Sequence, residues 1–118
     1  MENKEDCIFC EIAKGEIKSE KLYEDDNFFA ILDIKPKAEG HTLIISKKHF
    51  ANLLDVPDSL GGELIASLKE VILKIFKDKK AEGFNVVING LSAGGQIIPH
   101  FHAHIIPRKN GDGLRMLV

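Results

Sequence analysis

His100-Phe101-His102-Ala103-His104-Ile105-Ile106 alternates imidazoles with apolar side chains. In an extended strand, successive side chains point to opposite faces. A strand from about Ile97 to Pro107 is therefore expected, with all three imidazoles on one face and Phe101, Ala103 and Ile105 turned into the core. Stacking like titratable groups brings no packing benefit, so the row reads as chemistry. Imidazoles bind metals, or they grip, attack and protonate a phosphoryl group. Each i to i+2 step along a strand advances roughly twice the rise of about 3.3 Å. A single ion would not reach both outer rings, whereas a chain of phosphates runs past them. Gly94-Gly95 just before the strand offers unhindered backbone N–H groups suited to an anion, and Gln96 adds a side-chain amide.

Upstream, Asp6 is placed to cap a short helix ending near Lys14 and stopped by Gly15. Lys21–Glu24 and Phe28–Asp33 read as strands joined by an Asp25-Asp26-Asn27 turn, and Thr42–Ile45 as a buried strand. Residues 34–40 form a loop marked by Pro36 and Gly40, and a short helix is expected around 49–54. Pro57 and Asp58 open a long helix with an apolar stripe at Leu60, Leu64, Leu68, Val71, Ile72, Ile75 and Phe76. Phe84–Asn89 is a further strand. The strands form a largely antiparallel set with few helices between them, so the fold class is α+β.

The 118 residues suit one domain, 1–118, with a core at 7–108 and a short tail at 109–118. Hydrophobic residues make up 44% and charged residues 29%, which argues against disorder. The net charge of -2 excludes a strongly basic nucleic-acid binder, and with no Trp and one Tyr there is little to stack single strands on. No apolar run suggests a membrane span or a leader after the charged start, residues 1–6. Cys7 and Cys10 form a CxxC pair, which in a reducing compartment points to metal or redox chemistry. No strand precedes them, as a thioredoxin-like pair would need, and small buried hydrophobes are the plain alternative. The expected location is the cytoplasm.

The alternating histidines resemble the signature of the histidine-triad (HIT) superfamily, in its prokaryotic Hint-like form with an N-terminal CxxC. The companions agree in order: Phe9, Phe29–Ile34, Gly40–Ile45, Lys48-His49, Asn89 and Ala93–Gln96. The resemblance implies a homodimer whose subunits each carry an antiparallel sheet of about five strands, one short helix and one long one. It implies binding of purine nucleotides or their conjugates and cleavage at the α-phosphate. His102 would be the nucleophile that carries a nucleotidyl intermediate, His104 would bind a non-bridging oxygen with His41 behind it, and His100 would orient the others or ligate zinc. Asp33 would take the ribose hydroxyls. Phe9, Ile12, Ile31 and Leu43 would line a slot for the base, with Ile34 at its edge. Asn89 would donate to the phosphate or ribose, alongside Gly94, Gly95 and Gln96. Ile97 stands where the Hint branch usually has a phosphate-binding Ser. Cys7, Cys10, His49 and His100 would hold a structural zinc, as in galactose-1-phosphate uridylyltransferase, and no catalytic cofactor is needed.

Two other classes compete with a nucleotide hydrolase or transferase. One is a nucleotide-binding regulatory module with incidental hydrolysis. The other is a metallohydrolase that uses the triad as ligands.

Overall fold

The computed structural model describes residues 6–115. The charged start, residues 1–5, and the last three residues of the tail lie outside the described residues. The elements are α1 (Ile8–Ala13), β1 (Tyr23–Glu24), β2 (Phe28–Leu32), β3 (Thr42–Ser46), α2 (Gly61–Lys79), β4 (Gly83–Val87) and β5 (His102–Arg108). The five strands make one antiparallel sheet in the order β1-β2-β3-β5-β4. The α+β expectation holds, with one short and one long helix.

Period-two patterning gives the sheet two buried faces. Phe28, Ala30, Ile44, Phe101, Ala103 and Ile105 meet Leu64, Leu68, Val71 and Ile75 of α2. Phe29, Ile31, Leu43 and Ile45 point the other way and meet Cys7, Phe9, Cys10 and Ile12 of the α1 segment. Each fully buried Val, Leu, Ile or Phe among them stabilises the fold by about 1.5–3 kcal/mol. His102 and His104 are out of phase with Ala103 and Ile105 and so lie on the α1 face, opposite Ile45 and Leu43 of β3.

Some boundaries differ from the sequence reading. Cys7 occupies the N-cap of α1 without a side-chain bond, so Asp6 does not cap it. Gly15 does follow the helix end with φ +82°. The short helix at 49–54 is instead a single 3₁₀ turn, Leu53–Asp55, because Asn52 caps it by accepting from Leu54 N at 2.9 Å. β5 begins at His102, five residues later than expected. Pro99 has no N–H for a ladder, and the chain before β5 turns tightly, with His100 N–H donating to Ile98 O at 2.8 Å. Phe101 N–H then donates to Phe50 O at 2.6 Å, tying this segment to the chain beyond β3. That tie brings His100 to His49.

Gly40 turns the chain into β3 with φ +89°. A Cβ there would lie 3.2 Å from Lys79 Cγ and 3.3 Å from Pro107 Cγ. The glycine thus sets where the next residue, His41, enters the sheet.

α2 ends on Lys80 in the left-handed region, φ 54° and ψ 38°, where a side chain costs about 1–2 kcal/mol relative to glycine. Lys80→Gly is expected to stabilise the fold by about 1 kcal/mol, read as a higher urea midpoint at unchanged slope.

Candidate functional site

His102 opens β5 and is 9% exposed. Its ring lies between the edges of Phe9 and His104, with centroid separations of 5.2 and 5.1 Å. His102 Nδ1 is 2.8 Å from the carbonyl oxygen of His100. A carbonyl only accepts, so Nδ1 carries the proton and Nε2 of the neutral ring holds the lone pair. The backbone of one histidine thereby fixes which nitrogen of the next bears the lone pair.

The same logic orders a second chain of groups. Lys37 N–H donates to His41 Nδ1 at 3.0 Å, which leaves the proton of neutral His41 on Nε2. His41 Nε2–H donates to His104 Nδ1 at 3.0 Å. His104 Nδ1 is then an acceptor, and its proton sits on Nε2. Burial pushes His104 down to about 4, reinforced by His102 and His41 and opposed by Asp33. Burial also lowers His41, again opposed by Asp33. Both rings are neutral near pH 7.

His100 is fully buried and departs from the expected row. It precedes the strand, and its ring belongs to another cluster. Its Nε2–H donates to Ser46 O at 2.7 Å, so Nδ1 offers a lone pair. That nitrogen lies 3.2 Å from Cys7 Sγ, 3.4 Å from Cys10 Sγ and 3.2 Å from His49 Nδ1. Cys10 Sγ is 3.3 Å from His49 Nδ1. The four donor atoms all lie within 4.8 Å of one another, and all four residues are buried. A tetrahedral ion with bonds of about 2.3 Å to sulfur and 2.0 Å to nitrogen requires donor separations of about 3.3–3.8 Å. This set fits such an ion. Ser46 was not singled out in the sequence. Its carbonyl acts here rather than its side chain, and no residue-type signal marks a carbonyl.

Among the other expected residues, Phe9, Ile12, Ile31 and Leu43 pack in a single cluster on the His102 face. The Asp33 carboxylate faces His41 and His104 at 3.4 and 3.9 Å. Ile34 and Ile97 are each 91% exposed. Asn89 is half-buried, 3.7 Å from where a Cβ on Gly95 would lie.

The loop that was to offer its donors uses several of them internally. Gly94 N–H goes to Leu91 O and Gly95 N–H to Ser92 O, at 3.1 and 3.0 Å. The 3₁₀ turn Ser92–Gly94 takes those protons, which the bare glycine pair did not foretell. The Gln96 amide donates to Ala51 O and Ile98 O, at 2.7 and 3.0 Å, and accepts from Leu91 N at 2.8 Å. These bonds hold Leu91 at φ 64°, ψ 167°, a conformation that costs about 1–3 kcal/mol outside glycine.

Residues 14–111 match the HIT domain family. The chain is 42% identical over 109 residues to adenylylsulfatase HINT3 of Arabidopsis thaliana, covering 92% of this chain but only 55% of that protein, so it spans about half of that relative. It is 41% identical over 108 residues to adenosine 5'-monophosphoramidase HNT1 of Candida albicans, covering 88% of this chain and 71% of that one. Among solved structures, a Zn-bound histidine triad family protein from Mycobacterium smegmatis superposes with a TM-score of 0.87 at 38% identity, over 93% of this chain and 80% of the other.

His104 and His41 bind protons less readily folded than unfolded. Stability is therefore greatest above the unfolded histidine value near 6.5 and falls as pH drops from there toward about 4, by up to about 1.4 kcal/mol per pH unit for each proton taken up. Urea midpoints should decline through that window, and His104→Asn should flatten the decline.

Proposed function

The chain belongs to the HIT family, and from that premise we propose a nucleotide hydrolase or nucleotidyl transferase that cleaves purine nucleotide conjugates at the α-phosphate. Phosphoramidates and dinucleoside polyphosphates are the substrate classes. The observation that carries this reading is the tautomer of His102, whose Nδ1–H is held by the His100 carbonyl at 2.8 Å. Relatives named as an adenylylsulfatase and an adenosine 5'-monophosphoramidase support a nucleotide hydrolase at family level.

In this reading, His102 Nε2 attacks the α-phosphorus. The P–Nε2 bond forms and the bond to the leaving group breaks with its electron pair. Water then attacks the same phosphorus, the P–Nε2 bond breaks, and the nucleoside monophosphate departs. One hard displacement becomes two easier ones. His104 Nε2–H, aligned by His41, donates to a non-bridging oxygen in a low-dielectric site. Asp33 accepts from the ribose hydroxyls. The base lies against the outer edge of Phe9, Ile12, Ile31 and Leu43, beside Ile34, with Asn89 and the loop of Gly94, Gly95, Gln96 and Ile97 flanking the phosphate.

Zinc fits the set of Cys7, Cys10, His49 and His100 by donor chemistry. When bound, it supplies a structural cross-link between α1 and the segment leading into His102. A homodimer is part of the same reading. β4 is an edge strand with Phe84 and Val86 48% and 38% exposed, and Phe84 meets Phe76 of α2 at a ring-centroid separation of 6.0 Å. Reduced cysteines favour the cytoplasm, and no helix among the described residues is long and apolar enough to cross a membrane.

A second reading draws on the loop. Gly94 and Gly95 spend their N–H groups internally, and the exposed residue at 97 is apolar. Fewer phosphate donors would suit a nucleotide-binding regulatory module with weak turnover. Calorimetry with AMP beside turnover on several leaving groups separates the two, since tight binding with negligible turnover on all of them favours the module.

His102→Ala is expected to lower turnover of an adenosine phosphoramidate by about 10⁴-fold or more while the chain stays folded by circular dichroism. Turnover near the parent level would overturn the hydrolase reading. Metal analysis should find about one zinc per chain. Cys10→Ser should lose that zinc and melt at a lower temperature.

A further inference from the structure

Asp33 follows β2, and its backbone N–H donates to His41 O at 2.9 Å. Its carboxylate is divided between two tasks. Oδ1 accepts Lys35 N–H at 2.9 Å, while Oδ2 lies 3.4 Å from His41 Nε2 and 3.9 Å from His104 Nδ1. The side chain is 17% exposed, so water only partly screens it.

Asp33, His41 and His104 bring three potential ligand atoms within 4.8 Å of one another. The hydrogen bonds argue against an ion there. Lys37 N–H points at His41 Nδ1 from 3.0 Å. A metal on Nε2 would force the ring proton onto Nδ1, against that donor.

An anion placed against two neutral rings does something else. The Nε2–H of His41 has two acceptors in reach, His104 Nδ1 at 3.0 Å and Asp33 Oδ2 at 3.4 Å. We infer that Asp33 is a positioning residue for the His41–His104 pair, and that the vicinal diol of a nucleoside competes for the same carboxylate. The inference deepens the proposed function and rests on it. Two hydroxyl donors would draw the carboxylate's charge toward the sugar. The His41 proton then belongs to His104 alone, and His104 is held as a neutral Nε2–H donor. Ribose recognition is thereby coupled to holding His104 neutral, so a sugar without the diol is discriminated against in turnover as well as in affinity.

Among the charged groups of the described residues that bear on the pair, Asp33 alone favours its protonation. Lys37, from the loop before β3, opposes protonation of both rings, as does His102 of β5 for His104. Asp33, at the end of β2, favours protonation of both. Removing or engaging its charge therefore makes the pair harder to protonate.

Ring ¹⁵N spectra of the metal-loaded protein follow the test. Asp33→Asn should lower the protonated fraction of His104 at pH 5 by about threefold or more, equivalent to about half a pH unit. Saturating adenosine, which has no phosphate charge, should act in the same direction on the parent protein. At saturation 2',3'-dideoxyadenosine should leave the fraction unchanged, and adenosine should have no further effect in Asp33→Asn. An unchanged His104 titration in the variant overturns the positioning role. Adenosine that binds without moving the titration overturns the competition. Failure of adenosine to bind, read by calorimetry, instead removes the nucleoside reading and the competition with it. The variant's titration then still decides the positioning role.

Discussion

The hydrogen bond from His102 Nδ1–H to the His100 carbonyl joins two sites that share one residue. The His100 ring belongs to the buried Cys7, Cys10 and His49 cluster, and its backbone belongs to the approach to β5. Any displacement of the cluster moves that carbonyl, and with it the nitrogen that His102 presents. The ring itself is pinned from its far side by the Ser46 carbonyl. The cluster and the His102 imidazole are therefore linked through the single residue His100, by its ring on one side and its carbonyl on the other.

The sheet makes this economy feasible. One face is filled by α2, whose stripe buries Leu64, Leu68, Val71 and Ile75. Among the described residues, the other face is covered chiefly by Cys7 and the six-residue α1, which pack on Phe29, Ile31, Leu43 and Ile45. Polar chemistry is concentrated on the thinly covered face. His102 and His104 stand there on a strand locked between β3 and β4, with His104 paired to Leu43 and Val87. A strand held on both sides fixes side chains better than a loop does.

Proton placement runs inward from the backbone. Lys37 N–H sets His41, and His41 sets His104. In the second line the His100 carbonyl sets His102. Adjacent rings thus present opposite functions at their Nε2 atoms, a lone pair on His102 and a proton on His104. Burial keeps His104 and His41 neutral near pH 7, so the His41–His104 pair carries no net positive charge.

The α+β class, the antiparallel sheet, the α2 stripe and the face on which His102 and His104 lie were all legible in the sequence, because each follows from a local periodicity of two or of 3.6 residues. The family was legible for a related reason, since a strict alternation of histidines is rarely neutral. Tertiary structure alone decided that Asp33 faces His41 and His104, and that Gln96 and the glycine N–H groups serve the loop itself, whereas the place of His100 beside the cysteines was implied by the family resemblance and not by the alternation. Several of the deciding contacts join groups from segments tens of residues apart, such as Ser46 with His100, Ala51 with Gln96 and His41 with His104. Every residue carries a backbone carbonyl, so its identity says nothing about which ring it will orient. Only the folded path of the chain chooses.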